Sequence, residues 1–268
     1  MPPVRPLATL AAAEAGVSGQ ETYPVATIKE MNFLATQVFP KIGANHSRLS
    51  PTELTAFLCM AGSLYEGRLM VVGRAVNGWT DGVLPADLAQ PAKAQAFAKT
   101  VFESVTGANC PMAWVSESWG TTSGYNSRRS AFWRSIRAVV HGLDIANVLL
   151  PQWPSHLLWS NLYKVAPAQG GNPDGNLCSL QLAGCIDLLR LEVDTYKPTR
   201  ILFLTGMGWA SPFLENLGLT INKNSTFKYV EGFGQAKLSS GHGFTFAVAS
   251  HPQGKPETPW VNEVLQVL

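Results

Sequence analysis

Arg74, Asn77, Asn161 and His251 each stand at or just beyond the end of an apolar run. Asn161, between Ser160 and Leu162, carries a donor and an acceptor in one side-chain amide. That pair suits the imide edge of a pyrimidine, although an asparagine there can equally cap a loop. His251, in Ser250-His251-Pro252, is placed to donate a hydrogen bond to a developing oxyanion, and Pro252 fixes the turn beyond it. The plainer alternative is a surface or capping histidine. Gln253, Gly254 and Lys255 then supply an amide, a small residue and a cation. With Ser250 they make a loop that can approach a phosphate backbone closely. Gly73 and Ala75 flank Arg74, and with Trp79 and Asn161 they are the candidate lining of a base pocket. Trp79 either stacks on a base or fills the core. Arg128, Arg129, Arg134 and Arg137 are either a solvated helix face or further contacts, with Arg128 and Arg129 the candidates for binding DNA.

Four apolar runs position these residues: 68–73, 156–161, 200–205 and 244–250. Leu69–Val72 is too short for a helix and rich in Val, which predicts a strand buried on both faces. The other three behave alike, each breaking into polar residues or glycine. In an open parallel sheet, ligands bind outside the carboxyl ends of the strands. If the four are parallel neighbours, Arg74/Asn77, Asn161, Gly206/Gly208 and His251 converge on one edge. Helical spacing is read over 27–42, 84–105 (interrupted at Pro91), 127–141, 177–196, 212–217 and 259–268. Ser50-Pro51-Thr52-Glu53 is a capping box that predicts a helix ending near Gly62. Residues 109–126 read as a lid or a packed surface loop, and 219–243 as irregular or a small hairpin. Strands alternating with helices predict an α/β fold with a parallel sheet covered on both faces. Residues 1–24 are expected to be an N-terminal arm and 25–268 one domain.

Of the 268 residues, 46% are hydrophobic and 14% charged, with a net charge of +2. That is a globular composition, long enough to bury a real core. The charge alone is too small to imply a polyanionic partner. Cys59, Cys110, Cys178 and Cys185 lack the CxxC spacing of a zinc or redox site, so no metal is expected and the thiols are expected to be free. Gly73-Arg74-Ala75-Val76-Asn77-Gly78 is neither GxGxxG nor a Walker loop, so no nucleotide cofactor is expected. No run reaches the ~18 apolar residues of a membrane span. A cytoplasmic protein without a membrane partner is expected.

Together the strand-end motifs resemble the uracil-DNA glycosylase superfamily. VVGRAVNG stands where its first motif follows strand one. LLWSNLYKVAP, with Asn161, matches its middle motif, and ASHPQGKP, with His251, its final His-Pro loop. SAFWRSIRAV is similar to the Phe-Trp helix of its mismatch-specific and single-strand-selective branches. The resemblance covers residues 65–268. It implies a three-layer α/β/α sandwich with a central four-stranded parallel sheet in the order 2-1-3-4. It also implies base flipping, with Asn161 reading the base and His251 stabilising the charge on the departing base. Most members carry Asp, Asn or Glu one or two positions after the first glycine to direct the attacking water. Here Arg74 and Ala75 stand there, Val76 replaces a common proline, and Asn77 lies further on.

The leading expectation is a monomeric DNA glycosylase-like enzyme acting on duplex or single-stranded DNA, without a cofactor. In that reading Arg74 or Asn77 lines the pocket. A second keeps the fold but substitutes at the methyl carbon of thymine, as in viral genomes with hypermodified thymine; the protein would then act in a host cytoplasm. There Arg74 would bind a phosphate leaving group or a carboxylate co-substrate. A third is a catalytically silent nucleic-acid binding protein.

Overall fold

The structure, a computed structural model, describes residues 25–106 and 109–268. The arm expected over 1–24 lies outside the described residues. The described residues open with α1 (Val25–Phe33), which runs through a π-helical turn (Leu34–Val38) into α2 (Phe39–Ala44). Leu34, Ala35, Val38, Phe39 and Ile42 face inward along this continuous stretch. The helix expected from the capping box at 50–53 does not form. Its place is taken by β1 (Leu54–Ala56) and β2 (Met60–Ala61). β3 (Met70–Ala75) is followed by a 3₁₀ turn at Pro85–Ala89, then by α3 (Pro91–Thr106), α4 (Trp114–Glu117) and α5 (Ala131–Gly142). β4 (Leu158–Tyr163), β5 (Val165–Pro167), α6 (Gly175–Tyr196), β6 (Arg200–Phe203), α7 (Met207–Asn216), β7 (Val230–Lys237), β8 (Gly243–Ala249) and α8 (Glu257–Leu265) complete the order.

The central sheet has six strands in the order β2-β4-β3-β6-β8-β7. Its middle four are the expected runs, and β3–β4, β3–β6 and β6–β8 are all parallel. Numbered along the chain, these four lie in the order 2-1-3-4. The expected four strands are therefore a subset: β2 and β7 extend the sheet antiparallel, one at each edge. β1 pairs instead with β5 in a separate two-stranded ribbon, in register Leu54↔Pro167 to Ala56↔Val165. Leu54 also exchanges backbone hydrogen bonds with Val83. These tertiary pairings outweigh the local capping signal.

Alternation along each central strand divides the core. Val71, Leu202 and Ala247 join one apolar cluster, while Met70, Val72, Ile201, Phe203, Phe246 and Val248 join another. The second cluster is closed by α6 and α7 through Leu189, Val193, Phe213 and Leu214. The first is closed by α3, α5 and α8 through Val101, Ile136, Val140 and Trp260. Residues 109–126 are pinned to the body. Trp114 packs against Trp79, Trp133 and Trp159 at centroid distances of 5.4–5.7 Å. Trp119 lies against Trp153 and under the Arg137 guanidinium. Of the two readings for this stretch, the packed loop is the one observed.

α6 carries a buried polar network onto the back of β4. Lys164 pairs with Glu192, and both side chains are fully buried. Ser160 donates to Glu192 Oε2 at 2.7 Å and accepts from Lys164 Nζ at 2.6 Å. Burial works against charge on Lys164, but Glu192 outweighs it and raises its pKa. Glu30 of α1 is also fully buried. Desolvation, then the charge of Glu192, pushes its carboxyl well up.

Candidate functional site

β3 and β4 place Gly73 directly beside Asn161. The absence of a side chain at Gly73 makes room for the amide: a Cβ there would lie 2.4 Å from Asn161 Oδ1. Asn161 is only 2% exposed, and its Nδ2 has no hydrogen-bond partner. A buried donor left unpaired costs about 1–3 kcal/mol. An amide held in this way is ready for an acceptor. Phe132, near the start of α5, reaches the same point. Its Cε2 lies 3.6 Å from where a Gly73 Cβ would be. The ring also stacks on His251, with centroids 6.4 Å apart and planes inclined by 23°. Phe132 therefore joins Asn161 and His251 into one region at the carboxyl ends of β3, β4 and β8.

His251 is held in a defined form. The Gln253 backbone N–H donates to its Nδ1 at 3.3 Å, which leaves Nε2 to carry the proton in the neutral ring. Partial burial, and then the nearby Arg74 charge, lower its pKa below the ordinary histidine value. At neutral pH the ring is an uncharged N–H donor.

His251 also lines a cleft of about 340 Å³, together with Arg74, Gly206, Glu231, Ser250, Gln253 and Lys255. Arg74 is fixed by an Nε hydrogen bond to the Thr205 carbonyl at 2.8 Å and lies 5.5 Å from the Trp209 ring centroid. Gly206, with φ +76°, sits between Arg74 and Glu231. A Cβ there would be 3.8 Å from the guanidinium and 3.6 Å from the carboxylate. Glu231 Oε2 accepts from the Met207 N–H at 2.5 Å, at the amino end of α7. Ser250 Oγ is buried without a partner. Gln253, Gly254 and Lys255 are exposed at the rim, and a turn closed by Lys255 N–H to the Pro252 carbonyl at 3.0 Å shapes them.

Other sequence candidates are placed elsewhere. Asn77 is exposed, and its Oδ1 accepts from the Gly171 N–H at 2.7 Å, so it clamps a neighbouring loop. Trp79 is not a stacking platform in the cleft. Its ring lies edge-on to Phe57 and Trp159, and its Nε1 donates to Ser104. Ala75 is half-buried at the end of β3 and packs against both apolar clusters. Arg128 and Arg129 are exposed in a 3₁₀ turn before α5. Arg134 and Arg137 are engaged by Glu257 and the Val148 carbonyl. Gly208 follows Gly206 into the first turn of α7.

Two residues carry more of the site than the sequence reading gave them. Phe132 stood out in the sequence only within SAFWRSIRAV, the stretch similar to the Phe-Trp helix of two branches of the superfamily. Glu231 had no local signal: between Val230↔Ala249 and Gly232↔Val248 the register slips, making Glu231 the extra residue of a β-bulge. Bulges commonly redirect a side chain beside a functional site. Among the described residues no group of His, Cys, Asp or Glu is gathered to hold a metal ion. No helix among them is long and apolar enough to cross a membrane. Cys59, Cys110, Cys178 and Cys185 are free thiols. No family model and no curated protein matches the chain.

Proposed function

We propose that the protein acts on DNA and draws a pyrimidine out of the stack into the pocket formed by Asn161, Phe132 and His251. We take its reaction to be base excision of the uracil-DNA glycosylase type, on a three-layer α/β/α fold of that kind. The observation that carries this reading is the buried, unpartnered Asn161 amide beside an aromatic ring and a neutral histidine donor. Flipped bases are read by hydrogen bonds to their edge and by stacking on aromatic side chains. In this assignment Asn161 Nδ2 donates to a base carbonyl and Phe132 offers a ring face. His251 Nε2–H stabilises the charge that grows on the base as its bond to the sugar breaks. The rim of Gln253, Gly254 and Lys255 holds the DNA backbone, with Arg128 and Arg129 as outlying contacts. The protein works as a monomer in the cytoplasm.

Single-turnover incubation with duplex and single-stranded DNA carrying uracil or 5-hydroxymethyluracil tests the reading. Release of free base is expected, and its absence on every strand refutes excision. The cations of the cleft favour one second reading: Arg74 and Lys255 lie together where a phosphate leaving group would be neutralised. In that case a nucleophile added with the DNA, such as an amine, bonds to the methyl carbon of the base as the phosphate leaves. The same assay, run on phosphorylated 5-hydroxymethyluracil, would give a changed base mass with the sugar bond intact.

A further inference from the structure

We infer that Glu231 is the base that directs water in this site, supplied from the edge strand rather than from the loop after β3. The inference rests on the base-excision reading and extends it. Hydrolysis at the sugar needs a group that orients water and accepts its proton, and the end of β3 with the start of its loop offers only Arg74, Ala75 and Val76 before Asn77. Asn77 is already committed to Gly171. Glu231 is the acidic residue of the cleft that His251 shares.

Three separate features bring it there. The bulge in β7 makes it the unpaired residue of the ladder. Gly232 beside it allows the close approach of the chain, since a Cβ at that position would meet Met207 Cε at 2.7 Å and Ile221 Cγ2 at 2.8 Å. Glu263 of α8 accepts the backbone N–H groups of Lys228, Tyr229 and Val230 at 2.6–3.0 Å, fixing the chain just before it. One carboxylate oxygen is held by the Met207 N–H. Arg74 faces it across Gly206.

The step balances with water as the only co-reactant. The C1′–N1 bond breaks and its electron pair leaves with the base, stabilised by His251 Nε2–H and Asn161. The water oxygen bonds to C1′, and its proton passes to Glu231 and then to solvent. The products are free base and an abasic sugar.

Glu231→Gln keeps the acceptor for the Met207 N–H and removes the proton acceptor. Positioned bases contribute about 10²–10⁴-fold, so a loss of that size is expected in the single-turnover excision rate. DNA affinity and melting temperature should stay close to wild type. DNA bearing a cationic pyrrolidine in place of the target sugar should bind Glu231→Gln at least tenfold more weakly than wild type, while a neutral tetrahydrofuran analogue binds both equally. If wild type excises base and Glu231→Gln does so within threefold of it, the inference is overturned and the excision reading stands. If wild type releases no base from any strand, the reading itself fails and the role of Glu231 falls with it.

Discussion

Substitution of Gly73 by alanine tests the base pocket without altering any group that would take part in chemistry. The added methyl would sit 2.4 Å from Asn161 Oδ1 and 3.6 Å from Phe132 Cε2. Carbon and oxygen meet comfortably at about 3.3–3.6 Å, so the amide must move by roughly 1 Å. It has little space to do so, because Asn161 is 2% exposed and held in the middle of β4. Overpacking of this kind costs about 1–3 kcal/mol. For a domain of this size that is a fall of about 2–12 °C in melting temperature, at ~2–4 °C per kcal/mol. A 1 Å misplacement of a positioning group also costs about 10²-fold in rate. Gly175→Ala is the control, since nothing lies within 4 Å of its Cβ and it occupies the first turn of α6. That variant should match wild type or gain about 0.4–1 kcal/mol. Thermal unfolding and single-turnover excision, measured side by side, decide the matter. A Gly73→Ala protein that melts like wild type and excises within threefold of it would show that the Asn161 amide neither rests on Gly73 nor reads the base.

His251→Ala should slow the chemical step by about 10²–10³-fold, the cost of losing one oxyanion donor. Because the His251 pKa is lowered in the fold, the wild-type rate should be flat from pH 8 to about 6.5 and decline only below the ordinary histidine range; a decline centred above it would contradict the neutral-donor role. Lys164→Met strands Glu192 in the core and should destabilise by about 3–5 kcal/mol, and adding Glu192→Leu should recover most of that loss, both read from urea midpoints. Burial pushes the Glu263 carboxyl up, but the N–H bonds of Lys228, Val230 and Tyr229 prevail and hold it below the usual carboxylate value. Its stabilisation is thus present above the unfolded carboxylate value and lost as pH falls through the folded one. Glu263→Gln should cost about 1 kcal/mol at pH 7 after solvent screening, and that gap should close as the solution is acidified.

The four central strands are legible because each is a continuous apolar run, the pattern demanded of a strand covered on both faces. The flanking strands are not. β2 is two residues long, and β7 reads VEGFGQAK, with glycines at 232 and 234 where alternating side chains would have revealed it. The helix expected after Ser50 fails because Leu54–Ala56 find partners more than 100 residues away in β5. Asn161 and His251 could be read from their places at the ends of apolar runs. Asn77 and Trp79 stand in the loop that follows Arg74 and the end of β3, but their partners, Gly171 and Ser104, come from distant segments. Glu231 is the harder case. Its orientation depends on which β8 residue each β7 residue faces, and register across a bulge has no signature in a single strand.

The two halves of the candidate site need different surroundings, and His251 belongs to both. Reading a neutral base edge requires a buried amide whose donor is kept from water, which Asn161, Gly73 and Phe132 provide. Under the proposed excision, the sugar and phosphate would meet the polar cleft lined by Arg74, Glu231 and Lys255. A charged histidine common to both halves would spoil the first and repel the cations of the second. Arg74 prevents this, since its charge disfavours protonation of His251 beyond what burial does. An arginine after the first glycine therefore has a role that a carboxylate there could not fill, because a negative charge at that place would raise the histidine pKa instead. On this argument the arginine at the end of β3 and the glutamate on the edge strand belong together. With arginine at position 74, the proposed excision needs its carboxylate from elsewhere in the chain, and the bulge in β7 brings Glu231 into the same cleft.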